Sequence, residues 1–285
     1  MKILITGSTG FIGKHVIDYL LSLNSINIVA TSSKEDKLVE LFQNKNVSII
    51  PYDIYNNQNQ DVDLYTLFGK PDKLIHLAWK GLPNYGESFH VTENLIKDFN
   101  FLSNIIENGL KDITIAGTCF EYGMIEGELN ENMPTNPQNY YALAKDTLRK
   151  MLEIFKIHNN FDLKWVRHFY MFGFGQSTSS IIPQLENALN KGEKIFNMSG
   201  GEQIRDYLPV TDVAKNIVKI SLQSEITGII NNCSGSPIRV VDFINNYLTN
   251  NKKNIKLNLG YYPYSSFEQM VFWGNNQKLN KIIKQ

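Results

Sequence analysis

The chain has 285 residues, 28 basic and 28 acidic side chains, and a formal net charge of zero, so it carries no electrostatic footprint for nucleic acid or an acidic lipid surface. No apolar run approaches the roughly 18 residues of a membrane span, and the length suits one large or two modest domains. Cys119 and Cys233 make no disulfide framework, and a first strand starting at Lys2 leaves no room for a secretory signal, so the expectation is a soluble cytoplasmic protein. In chain order, Ile3, Leu4 and Ile5 predict a buried strand over residues 2–6, and apolar spacing predicts a helix over 10–23. Further strands are predicted at 27–31, 47–52, 73–78, 112–116 and 163–169. Helices are predicted between them at 35–43, 91–108 and 140–157. Asn136, Pro137, Gln138 and Asn139 form a turn and cap that launch the last of these. This alternation predicts an α/β fold built on a doubly wound parallel sheet.

Beyond about residue 175 the pattern is less regular. Helices are predicted at 181–191, 211–224 and 240–249, with a Gly-rich turn at Ser199, Gly200 and Gly201 and a strand near 205–209. The division expected is a nucleotide-binding part over 1–175 and a smaller lobe over 176–285. The two exchange some segments, and the lobe lies over the carboxyl edge of the sheet, where open α/β sheets bind ligands.

Two patterns carry chemistry. Gly7, Gly10 and Gly13 straddle the first strand-to-helix turn, spaced Gly-x-x-Gly-x-x-Gly. Glycine there allows a tight turn and close approach of backbone to a pyrophosphate, with the helix's free N–H groups facing the phosphates. The second is Tyr141-x-x-x-Lys145, two side chains one helical turn apart on one face, preceded by Thr118 at a strand end. An ammonium beside a phenol is expected to lower the phenol's pKa, and a hydroxyl can bond the oxygen that gains or loses the proton. The trio is a proton-transfer device for interconverting an alcohol and a carbonyl. His15, His76, His90 and His158 show no metal-ligand spacing with the cysteines, so no metal is expected.

These segments together resemble the extended short-chain dehydrogenase/reductases, in particular the nucleotide-sugar epimerase/dehydratase/reductase family, over nearly the whole chain. The resemblance rests on the glycine pattern, Asp53-Ile54, His76-Leu-Ala78, Asn94, Thr118 with Tyr122-Gly123, Tyr141-x-x-x-Lys145, Arg167 to Gly173, and Arg205-Asp-Tyr-Leu-Pro-Val-Thr-Asp212. It implies a Rossmann domain holding a nicotinamide dinucleotide, a lobe holding a sugar nucleotide, and a homodimer formed through the helix bearing Tyr141 and the one before it. Carried over position by position, Tyr141 is the general acid/base, Lys145 binds the nicotinamide ribose and Thr118 contacts the reacting oxygen. Gly7, Thr9, Gly10, Phe11, Ile12 and Gly13 face the pyrophosphate, Asp53 and Ile54 the adenine, and Leu77, Ala78 and Trp79 the cofactor from the fourth strand's end. Arg205 falls where the family sets an arginine against the diphosphate, a task suited to a bidentate guanidinium; the other reading is an ion pair with Asp206. Tyr170 replaces a familiar asparagine near the substrate and either presents a hydroxyl or packs. Glu121 either bonds substrate or is a structural carboxylate near Tyr122. Trp79 and Tyr85 either line the sugar pocket or anchor loops. Tyr261, Tyr262, Tyr264 and Trp273 either stack on a base or pack.

The second strand ends in Thr31 and is followed by Ser32, Ser33 and Lys34, with no carboxylate until Glu35. Hydroxyls plus an ammonium suit a 2′-phosphate, so NADP(H) is expected over NAD(H), unless Lys34 is merely solvated. Cys119 and Phe120 follow Thr118 where the family's dehydratases carry Asp-Glu, which disfavours dehydration. An epimerising reductase needs a further acid/base, for which Cys119 and His168 are the candidates. The pattern looks most like NADPH-dependent reductases of nucleotide-linked 4-keto-6-deoxy sugars, with dTDP-4-keto-6-deoxyglucose the first candidate. The alternatives are an NAD-dependent epimerase and a non-catalytic NADP-sensing protein, and the latter has no need of a proton donor.

Overall fold

The structure, a computed structural model, describes residues 1–23, 25–56, 62–264 and 268–284. Its chain order begins β1 (Lys2–Thr6), α1 (Phe11–Ser22), β2 (Asn27–Thr31), α2 (Glu35–Phe42), β3 (Val47–Ile49), α3 (Leu64–Leu67), β4 (Lys73–His76), α4 (Leu95–Glu107) and β5 (Asp112–Thr118). It continues with β6 (Gly127–Leu129), α5 (Tyr140–His158), β7 (Asp162–His168), β8 (Tyr170–Phe172), α6 (Ile181–Asn190), β9 (Ile195–Asn197) and β10 (Ile204–Pro209). Last come α7 (Val210–Leu222), β11 (Gly228–Asn232), β12 (Pro237–Arg239), α8 (Val240–Asn250), β13 (Lys256–Asn258), β14 (Phe272–Gly274) and α9 (Gln277–Ile283). The central sheet is parallel, in the order β11-β7-β5-β4-β1-β2-β3. This is the expected α/β fold with a doubly wound sheet. Winding reverses between β1 and β4, and ligands of such sheets bind at that switch point.

Side chains alternate across the sheet with the period of a strand. Leu4 faces one side with Leu74, Ile113, Ile115 and Trp165, where α4 and α5 bring Phe101, Leu102, Ile105, Ala144, Leu148 and Leu152. Ile3 and Ile5 face the other side, against Val16, Ile17 and Leu20 of α1 and Val213, Ala214 and Ile217 of α7. Each such side chain contributes about 1.5–3 kcal/mol by burial, so the two apolar layers hold the strand ends in line. Although α7 and β11 follow residue 175, they join these central layers. α6, β9 and α8 build a separate core from Ile182, Leu185, Phe196, Met198, Phe243 and Ile244, while α9 packs with Ile220 and Ile230 beside the sheet. Among the described residues no helix is long and apolar enough to cross a membrane.

Several boundaries differ from the sequence reading, β4 ending at His76 and α7 at Leu222 among them. β3 stops at Ile49, although the amides of Ile50 and Tyr52 on either side of Pro51 still donate to Ala30 and Ser32. β5 runs two residues further than expected, since Gly117 and Thr118 pair with Arg167 and His168 of β7. The helix expected from Val91 begins instead with a π turn over His90–Asn94. There the His90 ring bonds the Asn84 carbonyl and Asn94 donates to that of Lys80, so the turn is pulled onto the preceding loop.

The turn after β1 depends on a close approach. A Cβ on Gly13 would lie 2.3 Å from the Gly7 carbonyl oxygen. Gly13→Ala is therefore expected to cost about 1–3 kcal/mol in urea unfolding, as overpacked sites do. A variant as stable as the parent would show that the turn relaxes freely.

Candidate active site

The carboxyl ends of the strands open into a cleft of about 1130 Å³. Beyond the ends of β1, β2, β3 and β4 it is lined by Gly7, Thr9, Gly10, Phe11, Ile12, Gly13, Ser32, Ser33, Lys34, Asp53, Ile54, Leu77, Ala78 and Trp79. Thr118, Tyr141 and Lys145 line it from β5 and α5, and Tyr170 and Arg205 from β8 and β10. Of the catalytic, cofactor and substrate residues that the resemblance implied, all but Glu121 thus share one cavity.

The residues of the first group fit a dinucleotide phosphate. Gly10 caps α1 in an extended conformation with no side-chain cap and no acidic residue in the first turn, which leaves the amides of the next residues for an anion. The Thr9 and Ser32 hydroxyls lie 2.8 Å apart and tie the turn to the end of β2. Asp53 spends its carboxylate locally, accepting from the amides of Tyr55 and Asn56.

Tyr141 enters the site because Asn139 caps α5, its side chain accepting from the Ala142 amide at 2.9 Å. The phenol bonds Thr118. Lys145, one turn on, lies with its ammonium 4.0 Å from the centre of the Trp79 ring, a cation–π contact. The indole is itself held, donating to His90 Nδ1 at 3.0 Å, so the opposite ring nitrogen of His90 donates to the Asn84 carbonyl. The expected lowering of the phenol's pKa is reversed here. Burial pushes Tyr141 well above its ordinary value, reinforced by Tyr85, Glu121 and Cys119, and only the Thr118 bond opposes this. Burial also brings Lys145 down to about 8, against the pull of Asp98 and Glu121. The site holds a neutral phenol beside an ammonium that titrates close to neutrality.

Glu121 takes the second of its two readings, the structural carboxylate. Its side chain is fully buried behind the cleft, where it accepts from the Thr118 amide (2.9 Å), the Trp165 indole (2.9 Å) and Arg167 Nε (2.7 Å). The carboxylate is committed to the scaffold. Thr118-x-x-Glu121 is a capping-box pattern, and that was the signal to read. Arg205 is no surface residue. It is buried, pairs with Glu268 at 2.6 Å and sits 4.7 Å from the centre of the Phe272 ring. Asp206 turns away to accept from Ser234 and Gly235. Tyr170 adjoins Arg205 with its ring centre at 5.6 Å. Tyr85 lines the cleft against Tyr141, while Tyr261, Tyr262, Tyr264 and Trp273 lie outside it.

Several lining residues were not anticipated. Lys37, one turn after Lys34 on α2, adds a second ammonium near Ser32 and Ser33, and helical spacing from Lys34 would have found it. The stacked rings of Tyr207 and Phe243, 4.0 Å apart, join the wall near Arg205, and no local pattern brings those two together.

The pattern of the NAD dependent epimerase/dehydratase family matches residues 3–232. The chain belongs to that family. One relative, the dTDP-6-deoxy-L-talose 4-dehydrogenase (NAD(+)) of Aggregatibacter actinomycetemcomitans, is 29% identical over 276 residues, 96% of this chain and 99% of that enzyme. The GDP-6-deoxy-D-talose 4-dehydrogenase of the same organism is 24% identical over 99% of this chain and 91% of its own. Among solved structures, a UDP-N-acetylglucosamine 4-epimerase of Methanobrevibacter ruminantium superposes with a TM-score of 0.85 at 24% identity, over 99% and 91% of the two chains. The UDP-glucuronic acid 4-epimerase of Bacillus cereus, in complex with its sugar nucleotide and NAD, gives 0.84 at 22%, over 100% and 93%. As a member of this family, the protein is a nucleotide-sugar-modifying enzyme that uses a nicotinamide cofactor.

Removing the Glu121 carboxylate strands a buried guanidinium. Glu121→Ala is expected to lose roughly 3–5 kcal/mol in urea unfolding. A raised substrate KM at unchanged stability would return Glu121 to the substrate.

Proposed function

We propose that the protein is an NADPH-dependent 4-ketoreductase of a nucleoside-diphosphate 4-keto-6-deoxy sugar, with dTDP-4-keto-6-deoxyglucose the first substrate to test, serving deoxysugar supply for surface polysaccharide. The observation that carries the reading is the neutral Tyr141 phenol, bonded to Thr118 and one helical turn from the Lys145 ammonium, inside the cleft that Arg205 also lines. The two talose relatives are named 4-dehydrogenases, and a 4-dehydrogenase and a 4-ketoreductase run one reaction in opposite directions.

A bound nicotinamide dinucleotide supplies the reducing equivalents. Tyr141 gives its proton to the oxygen at C4 as negative charge develops there, and the Thr118 hydroxyl steadies the same oxygen. Lys145, stabilised on the Trp79 face, sets a positive field in a water-poor site before that charge appears. Arg205 offers its fork to the diphosphate, with the partly exposed Glu268 carboxylate as the partner it exchanges. Burial pushes the Cys119 thiol up to about 12 and the His168 ring down to about 3. Neither is then a competent second acid/base, which favours reduction at one carbon over reduction with epimerisation. Ser32, Ser33, Lys34 and Lys37 beside a strand end without a carboxylate support NADPH. A homodimer through α4 and α5 is supported by Ile96, Ile154 and Ile157, at 49%, 64% and 75% exposure.

Tyr141→Phe is expected to lower kcat by about 10²–10⁴-fold while cofactor affinity, read by fluorescence titration, stays within a few-fold. Comparable turnover in that variant would remove Tyr141 from the chemistry. In the reducing direction kcat/KM should hold at neutral pH and fall as pH rises through about 8, because Lys145 loses its proton while Tyr141 keeps its own. A profile flat to pH 10 would show that the ammonium is dispensable. Replacing Lys34 and Lys37 together with Glu should reduce kcat/KM for NADPH by roughly tenfold or more and spare NADH, the loss expected for charge-assisted phosphate bonds. The primary assay is absorbance loss of each cofactor with dTDP-4-keto-6-deoxyglucose generated in place. NAD held tightly by the purified protein with no net NADPH consumption would identify an epimerase instead.

A further inference from the structure

His168 ends β7 between two register neighbours, Thr118 of β5 and Asn232 of β11, and neighbours in register on a parallel sheet point to the same face. The ring lines the cleft and is only 6% exposed. Its Nδ1 lies 3.4 Å from the Asn232 amide nitrogen. That amide is oriented from two sides. Its nitrogen donates to the Val213 carbonyl, which can only accept, and its oxygen accepts from Asn216 at 2.9 Å. His168 Nδ1 is therefore an acceptor, and the ring proton sits on Nε2. Among the described residues, Nε2 has no hydrogen-bond partner. A buried donor left without a partner is uncommon in native proteins and points to a group supplied from outside.

We propose that the Nε2–H of His168 anchors the carboxamide oxygen of the nicotinamide ring, an inference that rests on the dinucleotide reading above. An amide carbonyl is a strong acceptor, and in a nicotinamide dinucleotide it belongs to the ring end, away from the phosphates. In the sheet order β7-β5-β4-β1 the donor stands three strands from the glycine turn and next to Thr118, so phosphate cradle and donor lie at opposite ends of an extended cofactor. Burial and the nearby Lys145 keep the imidazole neutral, so it does not oppose the positive charge of the oxidised ring.

The test uses the full chain labelled with ¹⁵N-histidine. The free protein should show His168 as the Nε2-protonated tautomer, and NADPH or NADH should shift that resonance while ADP-ribose and its 2′-phosphate do not. In parallel, His168→Phe should weaken dinucleotide binding about tenfold, the worth of one hydrogen bond, without changing the affinity for ADP-ribose. Equal weakening towards both ligands would reduce His168 to a packing residue and overturn the proposal. A resonance moved only by the nucleotide sugar would overturn it in favour of a substrate contact. Wild-type protein that binds neither dinucleotide nor ADP-ribose would instead fail the cofactor reading from which it starts.

Discussion

The edge of the cleft formed by β5 and β7 depends on one buried carboxylate. Glu121 takes the Thr118 amide, the Trp165 indole and the Arg167 guanidinium at once, and so binds the ends of β5 and β7 to each other. A charge taken out of water at that depth persists because its partner charge and two further donors surround it. Thr118 and His168 inherit their positions from this clamp, since both lie at the strand ends it joins. Tyr141 then meets Thr118 because α5 packs across β5 through Ala144 and Leu148.

Burial also decides the electrostatics. Four residues of helix put an ammonium near a phenol, but desolvation acts on both and in opposite senses, raising the phenol and lowering the amine. In this site the second effect wins over simple attraction between neighbours. The indole of Trp79 eases the cost of holding Lys145 charged by presenting a π face where water is scarce. His90 makes this possible, and it does so from a π turn whose irregularity aims the ring at Trp79. The local departure from α-helical geometry is thus tied to the site.

At the other end of the cleft the late part of the chain brings Arg205 beneath Tyr170 and Phe272 and pairs it with Glu268. The guanidinium is desolvated in advance and faces a partner that is itself partly in water. Its nitrogens also donate to the carbonyls of Ile204, Gln269 and Met270, so the fork is held in one orientation.

Patterns with a short repeat were legible in the chain itself. The strand and helix periods placed β1, β2 and α5 within a residue or so, since period reports which face is buried regardless of the partner. The glycine turn, Tyr141 and Lys145 were legible for the same reason, being set by spacings of three and four residues. Thr118-x-x-Glu121 was equally local, yet its meaning as a cap rather than a ligand needed the sight of Trp165 and Arg167, which come more than forty positions later. Tertiary structure alone decided the pairing of Arg205 with Glu268, the indole over Lys145, the direction of the Tyr141 shift and a His168 nitrogen that has no partner among the described residues. Each arises from groups far apart in the chain that are enclosed together, and the energy of a charge or a donor depends on that enclosure. The sequence by itself determined the α/β architecture and the spacing that sets Tyr141 and Lys145 on one helix face; the burial that raises the phenol and lowers the amine came only with folding, because desolvation depends on groups enclosed from far along the chain.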